Sequence, residues 1–206
     1  MNKDLNTRTR ERIHEAAKTE FLGKGFQSAS LRSIVKSVGM TTGAFYGYYE
    51  SKEALFDALV SEQYEHFMDC YRKAQEDFAA LPPQEQPKHL SDFSGQCMEE
   101  MLYYAYEHLE VFKLLLLSAD GTKFSGMVDE MVEIELNATH TYQKVLTGLG
   151  FPVPEIDDRL EHILITGMFN AYFELIIHEM PLQKAMEYLR ELRSFYTAGW
   201  LKIMGQ

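Results

Sequence analysis

Cysteine is scarce in this sequence, and long apolar runs are missing. Cys70 and Cys97 are the two cysteines among the 206 residues, and neither belongs to a Cys-x-x-Cys pair. This predicts neither a disulfide framework nor a zinc ribbon, so we interpret both side chains as buried free thiols. The longest apolar run, 163–177, contains Asn170 and Glu174 and is shorter than the ~20 residues that cross a bilayer. We therefore expect a buried helix there and no membrane contact.

Signals for secretion and for catalysis are also missing. The first twelve residues are polar and basic, with no apolar stretch behind them, so we expect a cytoplasmic protein. The sequence has no HExxH, G-x-S-x-G, P-loop or dinucleotide-binding motif. Glu11 and His14 form the single Glu-x-x-His pair, whereas a helical di-iron site needs one from each of two helices. We therefore expect no enzyme activity, no cofactor and no metal site.

Charge is distributed unevenly along the chain. The overall net charge is −11, yet residues 1–53 carry nine Lys and Arg against six Asp and Glu, a net of +3. The remaining residues carry 11 against 25, a net of −14. A basic head on an acidic body suits a protein that presents one end to a polyanion, although chance could produce the same asymmetry.

Helical periodicity dominates the chain, and no stretch alternates apolar and polar residues as a strand would. Apolar residues make up 46% of the chain, enough for a sizeable core. We expect an all-α protein that divides into a head at 1–53 and a helical body at 54–206. About nine helices are predicted, at 7–24, 31–38, 42–48, 51–78, 89–107, 110–118, 123–148, 155–179 and 182–204.

A short helix, a glycine turn and a second short helix are predicted between Ser30 and Tyr48, which is the layout of a DNA-binding helix-turn-helix. The run from Ser30 reads S-L-R-S-I-V-K-S-V-G-M-T-T-G-A-F-Y-G-Y-Y-E-S-K-E-A-L. Its G-x-T-x-G-x-F-Y and Y-x-S-K-E-x-L segments closely resemble the N-terminal signature of the tetracycline-repressor (TetR) family. The resemblance covers roughly residues 8–56. It implies an all-helical, two-fold dimeric regulator, with repression as the default and a variable ligand-binding body.

Several residues of the head are expected to contact an operator in double-stranded DNA. Thr41 and Thr42 open the second short helix, where hydroxyls and free N–H groups can reach phosphates or base edges. Lys52 opens the next helix and is expected to bind a phosphate. By resemblance, Tyr46 is the family's phosphate-contacting tyrosine. The full predicted set is Arg8, Arg10, Ser30, Arg32, Thr41, Thr42, Gly43, Ala44, Tyr46, Tyr48 and Lys52.

The recognition helix departs from the common pattern because it contains no Lys or Arg. Direct readout of guanine is therefore not expected, and specificity should depend on threonine and tyrosine contacts and on DNA shape. This departure leaves an alternative open, in which the same fold has lost sequence-specific DNA binding and serves as a protein-interaction module.

The last two predicted helices carry broad apolar stripes with small residues at Gly167 and Ala171. Two such helices from each subunit would form a four-helix bundle, although an intramolecular core would show the same periodicity. The predicted homodimer interface comprises Leu164, Gly167, Met168, Ala171, Leu175, Leu189, Leu192, Phe195 and Tyr196.

The middle of the chain is rich in Met, Tyr, Phe and His, which suits a pocket for an apolar or aromatic effector as well as a plain core. The predicted effector-binding residues are Met101, Tyr104, His108, Phe112, Met131, His140, Phe169 and Tyr172. An effector that favours mis-spaced DNA-reading heads would weaken DNA affinity by linkage, with the long fourth helix as the lever.

Overall fold

A computed structural model describes residues 2–204, with side chains from residue 6 onward. This part of the chain contains nine helices and no strand, as predicted. The helices are α1 (Asn2–Ser28), α2 (Leu31–Ser37), α3 (Thr42–Phe45), α4 (Lys52–Ala79), α5 (Gln86–Glu107), α6 (Leu109–Leu117), α7 (Met127–Gly148), α8 (Asp158–Ile177) and α9 (Leu182–Ile203).

Glycine interrupts one helix at its predicted end and shortens another relative to the prediction. Helix α1 continues through Gly23, and it is Gly25, at φ 72°, that interrupts it, because this left-handed conformation is accessible to glycine. Helix α3 ends at Phe45 rather than Tyr48, and residues 46–48 form turns. Gly43 and Gly47 each disfavour helix by about 1 kcal/mol relative to alanine, which accounts for the short helix.

The packing of the chain divides it into two compact units. The first unit contains the described residues up to Glu65 together with His108–Ser125, and therefore α1–α3, the first half of α4, and α6. The second contains His66–Glu107 and the residues from Gly126 onward. The functional boundary between residues 53 and 54 stays a prediction.

In the first unit, the apolar stripe of Ile13, Ala17 and Phe21 on α1 is fully buried. Phe56 of α4 stands edge-on to Phe21, with ring centroids 5.2 Å apart. Each buried large apolar side chain stabilises the fold by roughly 1.5–3 kcal/mol. Helix α6 also packs on α1, and the backbone N–H of Phe26 donates to the carbonyl of Ser118 at 2.9 Å.

In the second unit, α8 packs between α7 and α9. Phe169, Tyr172 and Phe173 of α8 are buried there. By length and composition α8 could cross a membrane, and in this fold it packs against α7 and α9. Both thiols are free, as predicted, but only Cys97 is buried, whereas Cys70 is half-buried.

Candidate functional site

In the first unit, side-chain hydroxyls cap both helices of the helix-turn-helix. The Ser30 hydroxyl accepts the N–H of Ser33 at 3.3 Å at the start of α2, and the Thr41 hydroxyl accepts the N–H of Ala44 at 3.1 Å at the start of α3. Gly39, at φ 69°, makes the turn between the two helices. Each hydroxyl keeps its own proton free to donate, which leaves capacity for a phosphate oxygen.

Helix α1 holds this motif at both ends of α2. Arg12 donates to the carbonyl of Val38 at 2.7 Å, just beyond the end of α2. At the other end, the Glu20 carboxylate accepts the backbone N–H of Ser30 at 3.0 Å and the Lys24 ammonium at 2.7 Å. These two donors, Lys24 first, lower the pKa of Glu20. The motif is thus positioned by polar bonds as well as by the apolar core.

The last residue of α3 is buried and the residue that follows it is exposed. Phe45 is fully buried, whereas the next residue, Tyr46, is 55% exposed with its ring edge-on to Phe45 at 5.7 Å. The Tyr49 hydroxyl shares a 2.5 Å hydrogen bond with Nε2 of His14 on α1. Burial, followed by the charges of Lys18 and Arg10, lowers the pKa of His14. Tyr46 therefore presents its hydroxyl to solvent on an anchored backbone.

Most of the predicted DNA-contacting residues are accessible. Ser30, Thr42, Tyr48 and Lys52 are half-buried. The remaining seven are exposed: Arg8, Arg10, Arg32, Thr41, Gly43, Ala44 and Tyr46. Their accessibility is compatible with DNA contact, and the contacts themselves stay predictions.

Lys52 has partners that the sequence did not suggest. Its ammonium donates to the carbonyls of Phe26 at 2.6 Å, Ala29 at 3.1 Å and Gln27 at 3.3 Å. It also lies 4.4 Å from the centroid of the Phe26 ring. An ammonium has three donors, so this arrangement leaves none for a phosphate. Lys52 instead holds the end of α1 and the residue that follows it.

The predicted effector-binding residues do not form one group. His108 and Phe112 belong to the first unit, where α6 packs on α1 and Phe112 is fully buried. Their part in an effector site stays a prediction. The other six lie in the second unit: Met101, Tyr104, Met131, His140, Phe169 and Tyr172.

Within the second unit, sequence reasoning missed a polar cluster in which Tyr71 is buried and Gln75 and Glu135 are half-buried. The Tyr71 hydroxyl donates to Oε2 of Glu135, and the Gln75 amide donates to the same oxygen at 2.7 Å. Burial raises the pKa of Glu135 despite these hydrogen bonds, and burial together with Glu135 raises the pKa of Tyr71 well above its ordinary value. The sequence contained a sign of this cluster, because Glu135 follows Met131 by four residues and so shares the face of α7 that carries this buried side chain.

Aromatic and sulfur-containing side chains lie around this cluster. The Phe169 ring stands edge-on to that of Tyr71, with centroids 5.7 Å apart. The Tyr172 hydroxyl donates to the carbonyl of Met98 at 3.3 Å. Burial raises the pKa of Cys97 to about 12, which keeps this thiol protonated and unreactive. The surroundings are therefore apolar, with one carboxyl group and a few hydroxyls as polar partners.

The other two predicted effector residues have specific neighbours. Tyr104 stacks on His66, with ring centroids 4.1 Å apart. Nε2 of His140 lies 2.6 Å from Oε2 of Glu161 on α8. His140 is thus engaged by a carboxylate within its own unit.

The predicted interface residues divide between core and surface. Leu175 and Leu189 are 3% and 1% exposed. Assigning them to a subunit interface was therefore wrong, because the packing of α8 and α9 buries them within one chain. Gly167 lies opposite the Tyr196 hydroxyl of α9 within the protomer, where an added methyl group would make an ordinary contact. Phe195 is 72% exposed. Leu164, Met168, Ala171, Leu192 and Tyr196 are half-buried.

Further apolar side chains on these helices are exposed although the predicted interface omitted them. Ile163 is 63% exposed on α8, and Leu160 lies one turn before it. Tyr188 and Leu201 are exposed on α9. Together with Phe195 they form what we call the α8–α9 apolar surface, which comprises Leu160, Ile163, Tyr188, Phe195 and Leu201.

The head of this chain matches a known family of proteins. Residues 13–59 match the model for bacterial regulatory proteins of the tetR family. The HTH-type transcriptional regulator YerO of Bacillus subtilis is 33% identical over 209 aligned positions, covering 85% of this chain and 72% of YerO. YdgC of the same organism, also an HTH-type regulator, is 40% identical over 60 residues, which make up 29% of this chain and 31% of YdgC.

Solved structures resemble the whole chain in fold. A TetR-like transcriptional regulator from Rhodococcus sp. RHA1 superposes with a TM-score of 0.59 at 18% identity, covering 96% of this chain and 97% of that protein. Salmonella enterica GusR gives a TM-score of 0.55 at 17% identity, covering 97% and 96%. At such identities the likeness concerns the fold.

Proposed function

Because this chain belongs to the TetR family of bacterial regulatory proteins, we propose that it is an effector-responsive repressor that binds a palindromic operator as a homodimer. The observation that carries the proposal is the helix-turn-helix of the first unit, with the polar start of α3 and Tyr46 exposed beside it. A small apolar or aromatic effector would release the DNA.

The DNA-reading surface consists of exposed groups only. Thr41, Gly43 and Ala44 present a hydroxyl, bare backbone and a methyl group at the start of α3, which suit phosphate and thymine contacts. Arg8 and Arg10 extend along the exposed side of α1 and would add phosphate or minor-groove contacts. Lys52 is left out of this surface because its donors are occupied.

The homodimer would form through the α8–α9 apolar surface. Its five large apolar side chains are between 41% and 72% exposed, and monomeric soluble proteins seldom leave such a group uncovered. A two-fold interface places the same surface on both subunits, and paired heads would then read the two halves of a palindrome.

The effector site is proposed around the Tyr71–Gln75–Glu135 cluster. Met101, Met131, Phe169 and Tyr172 supply adaptable and aromatic contacts in the same unit. The single carboxyl group and the hydroxyls would orient the ligand, as the few polar groups of a mostly apolar pocket do. Helix α4 contributes Lys52–Glu65 to the first unit and His66–Ala79 to the second, so it is the covalent route by which binding would bias the heads.

Fluorescence anisotropy with duplex DNA from the region upstream of the gene tests DNA binding. We expect saturable binding that weakens steeply with salt, because phosphate contacts release counterions. Tyr46→Ala should weaken it by about 10- to 100-fold, the loss of one hydrogen bond to a charged acceptor. Tyr103→Ala is the matched control, since Tyr103 is 50% exposed on α5 and outside the head.

The absence of Lys and Arg from α3 favours one second candidate, a protein-interaction module of the same fold. Such a protein would show no saturable DNA binding on any segment of its own genomic neighbourhood at physiological salt. Equal affinities of wild type and Tyr46→Ala for a specific duplex would reject the proposed reading surface while leaving DNA binding itself in place.

A further inference from the structure

Three potential metal ligands meet where α7 packs against α8. His140 comes from α7, and Asp158 and Glu161 come from the first turn of α8, three residues apart on one face of the helix. One ligand atom of each lies within 4.8 Å of the other two. None of these residues belongs to the proposed DNA-reading surface, to the α8–α9 apolar surface or to the Tyr71–Gln75–Glu135 cluster.

Glu161 is the unusual member of this group. Its side chain is 1% exposed, whereas acidic side chains are almost never buried unless they are paired. Its carboxylate contacts Nε2 of His140 at 2.6 Å and the amide of Gln143 at 3.2 Å. A buried carboxylate needs a nearby positive charge as well as hydrogen bonds, and an imidazole and an amide are modest partners for it.

We propose that His140, Asp158 and Glu161 form a binding site for a divalent transition-metal ion, with Zn²⁺ as its representative. One imidazole nitrogen and two carboxylate oxygens are ligands that Zn²⁺ accepts, with water as a fourth ligand. The ion would balance the charge of the buried Glu161 and join α7 to the start of α8.

The spacing suits such a site after small side-chain adjustments. Zn–N and Zn–O bonds of about 2.0–2.2 Å place tetrahedral ligand atoms about 3.4 Å apart. His140 and Glu161 are closer than this and would separate slightly as the ion inserts between them. Asp158 is exposed and can rotate inward to complete the set.

Other histidine–carboxylate groups in the chain provide a comparison. His89 on α5 lies 3.7 Å from Glu85 and 3.9 Å from Asp92, and all three side chains are between 42% and 81% exposed. His178 lies 2.9 Å from Glu174, and both are more than half exposed. These groups are solvated and lie along single segments of chain, so they serve as controls.

The test is metal binding to the full chain after removal of metals with a chelator. Isothermal titration with Zn²⁺ and visible absorption with Co²⁺ should each show one site per chain. His140→Ala and Glu161→Gln should each weaken binding at least tenfold, and Asp158→Asn should weaken it measurably. His89→Ala and His178→Ala should bind as wild type does. Zn²⁺ should raise the Tm of wild type but not of His140→Ala.

The variants differ in how much they disturb the fold, which keeps the test decisive. Asp158→Asn changes an exposed side chain without changing its shape, and circular dichroism establishes the folding of all five variants. If wild type shows no saturable binding of Zn²⁺ or Co²⁺ at micromolar concentrations, the proposal is overturned. It is equally overturned if folded Asp158→Asn and Glu161→Gln bind Zn²⁺ with wild-type affinity. Neither result bears on whether the head binds DNA.

Discussion

Replacing Lys52 with methionine separates two roles for this residue. Methionine keeps most of the aliphatic stem but removes the ammonium that donates to the carbonyls of Phe26, Gln27 and Ala29. Hydrogen bonds to charged groups stabilise a fold by about 1.5–3 kcal/mol each when buried. Lys52 is half-buried, so water can replace part of each bond, and we expect the free energy of unfolding to fall by about 2 kcal/mol in total.

That loss corresponds to a decrease in Tm of about 4–8 °C for a chain of this length. It should be measured by urea and thermal unfolding at one fixed protein concentration, because the stability of a dimer depends on concentration. Lys73→Met is the matched control, since Lys73 is exposed on the same helix. We expect that control to stay within about 0.5 kcal/mol of wild type.

DNA binding provides the opposite readout. If Lys52 neutralised a phosphate, Lys52→Met would reduce the slope of log affinity against log salt by about 1. The structure predicts an unchanged slope, because no donor of Lys52 is free for DNA. If Lys52→Met has wild-type stability and a reduced salt slope, Lys52 does not stabilise the fold through the three carbonyls. It then contacts a phosphate, as expected from the sequence.

Substitutions at four further positions test other parts of the structure. Burial holds the pKa of Glu135 in the folded protein above its ordinary value of 4.5. The contribution of this group to the free energy of unfolding is therefore complete below pH 4.5 and is lost as the pH rises through the folded-state pKa. Glu135→Gln should therefore gain stability relative to wild type as the pH rises above 4.5 in urea unfolding, and a difference independent of pH would contradict this. Phe195→Glu should give folded monomers in size-exclusion chromatography with light scattering, because Phe195 is exposed. Leu189→Ala should instead lower the free energy of unfolding by about 2–5 kcal/mol, because Leu189 is buried. A Phe195→Glu dimer would exclude this residue from the interface. Thr41→Ala should lower helix stability by about 1 kcal/mol and weaken DNA binding, because it removes the cap of α3. Thr41→Ser keeps the cap and is the control. Equal anisotropy curves for the two variants would show that the cap does not limit DNA binding.

The helix-turn-helix could be predicted from sequence because its determinants are local. Ser30, Thr41 and Ser51 each accept the N–H of the residue three positions later, so each cap lies within four consecutive residues. Gly39 marks the turn for the same reason, since its φ of 69° is a property of one residue. The family signature coincides with this segment, which is why fold and general function followed from it.

Contacts between distant segments could not be predicted in this way. Lys52 reaches carbonyls 23 to 26 positions earlier, and Tyr71 reaches Glu135 across 64 positions. Periodicity showed that Lys52 begins a helix and that Tyr71 lies on a long one, but it carries no information on which segment packs opposite. A charged side chain at a helix start suits a phosphate and a carbonyl cluster equally well.

The apolar stripes of α8 and α9 show most clearly what the sequence determines and what it leaves to the tertiary structure. The sequence alone determined that α8 and α9 each have an apolar face, because side chains three and four positions apart share one side of a helix. Only the tertiary structure decided that Leu189 is covered within its own chain and that Phe195 is not. The physical reason is that burying apolar surface is favourable against any apolar partner, so the pattern specifies a face to be covered but not what covers it.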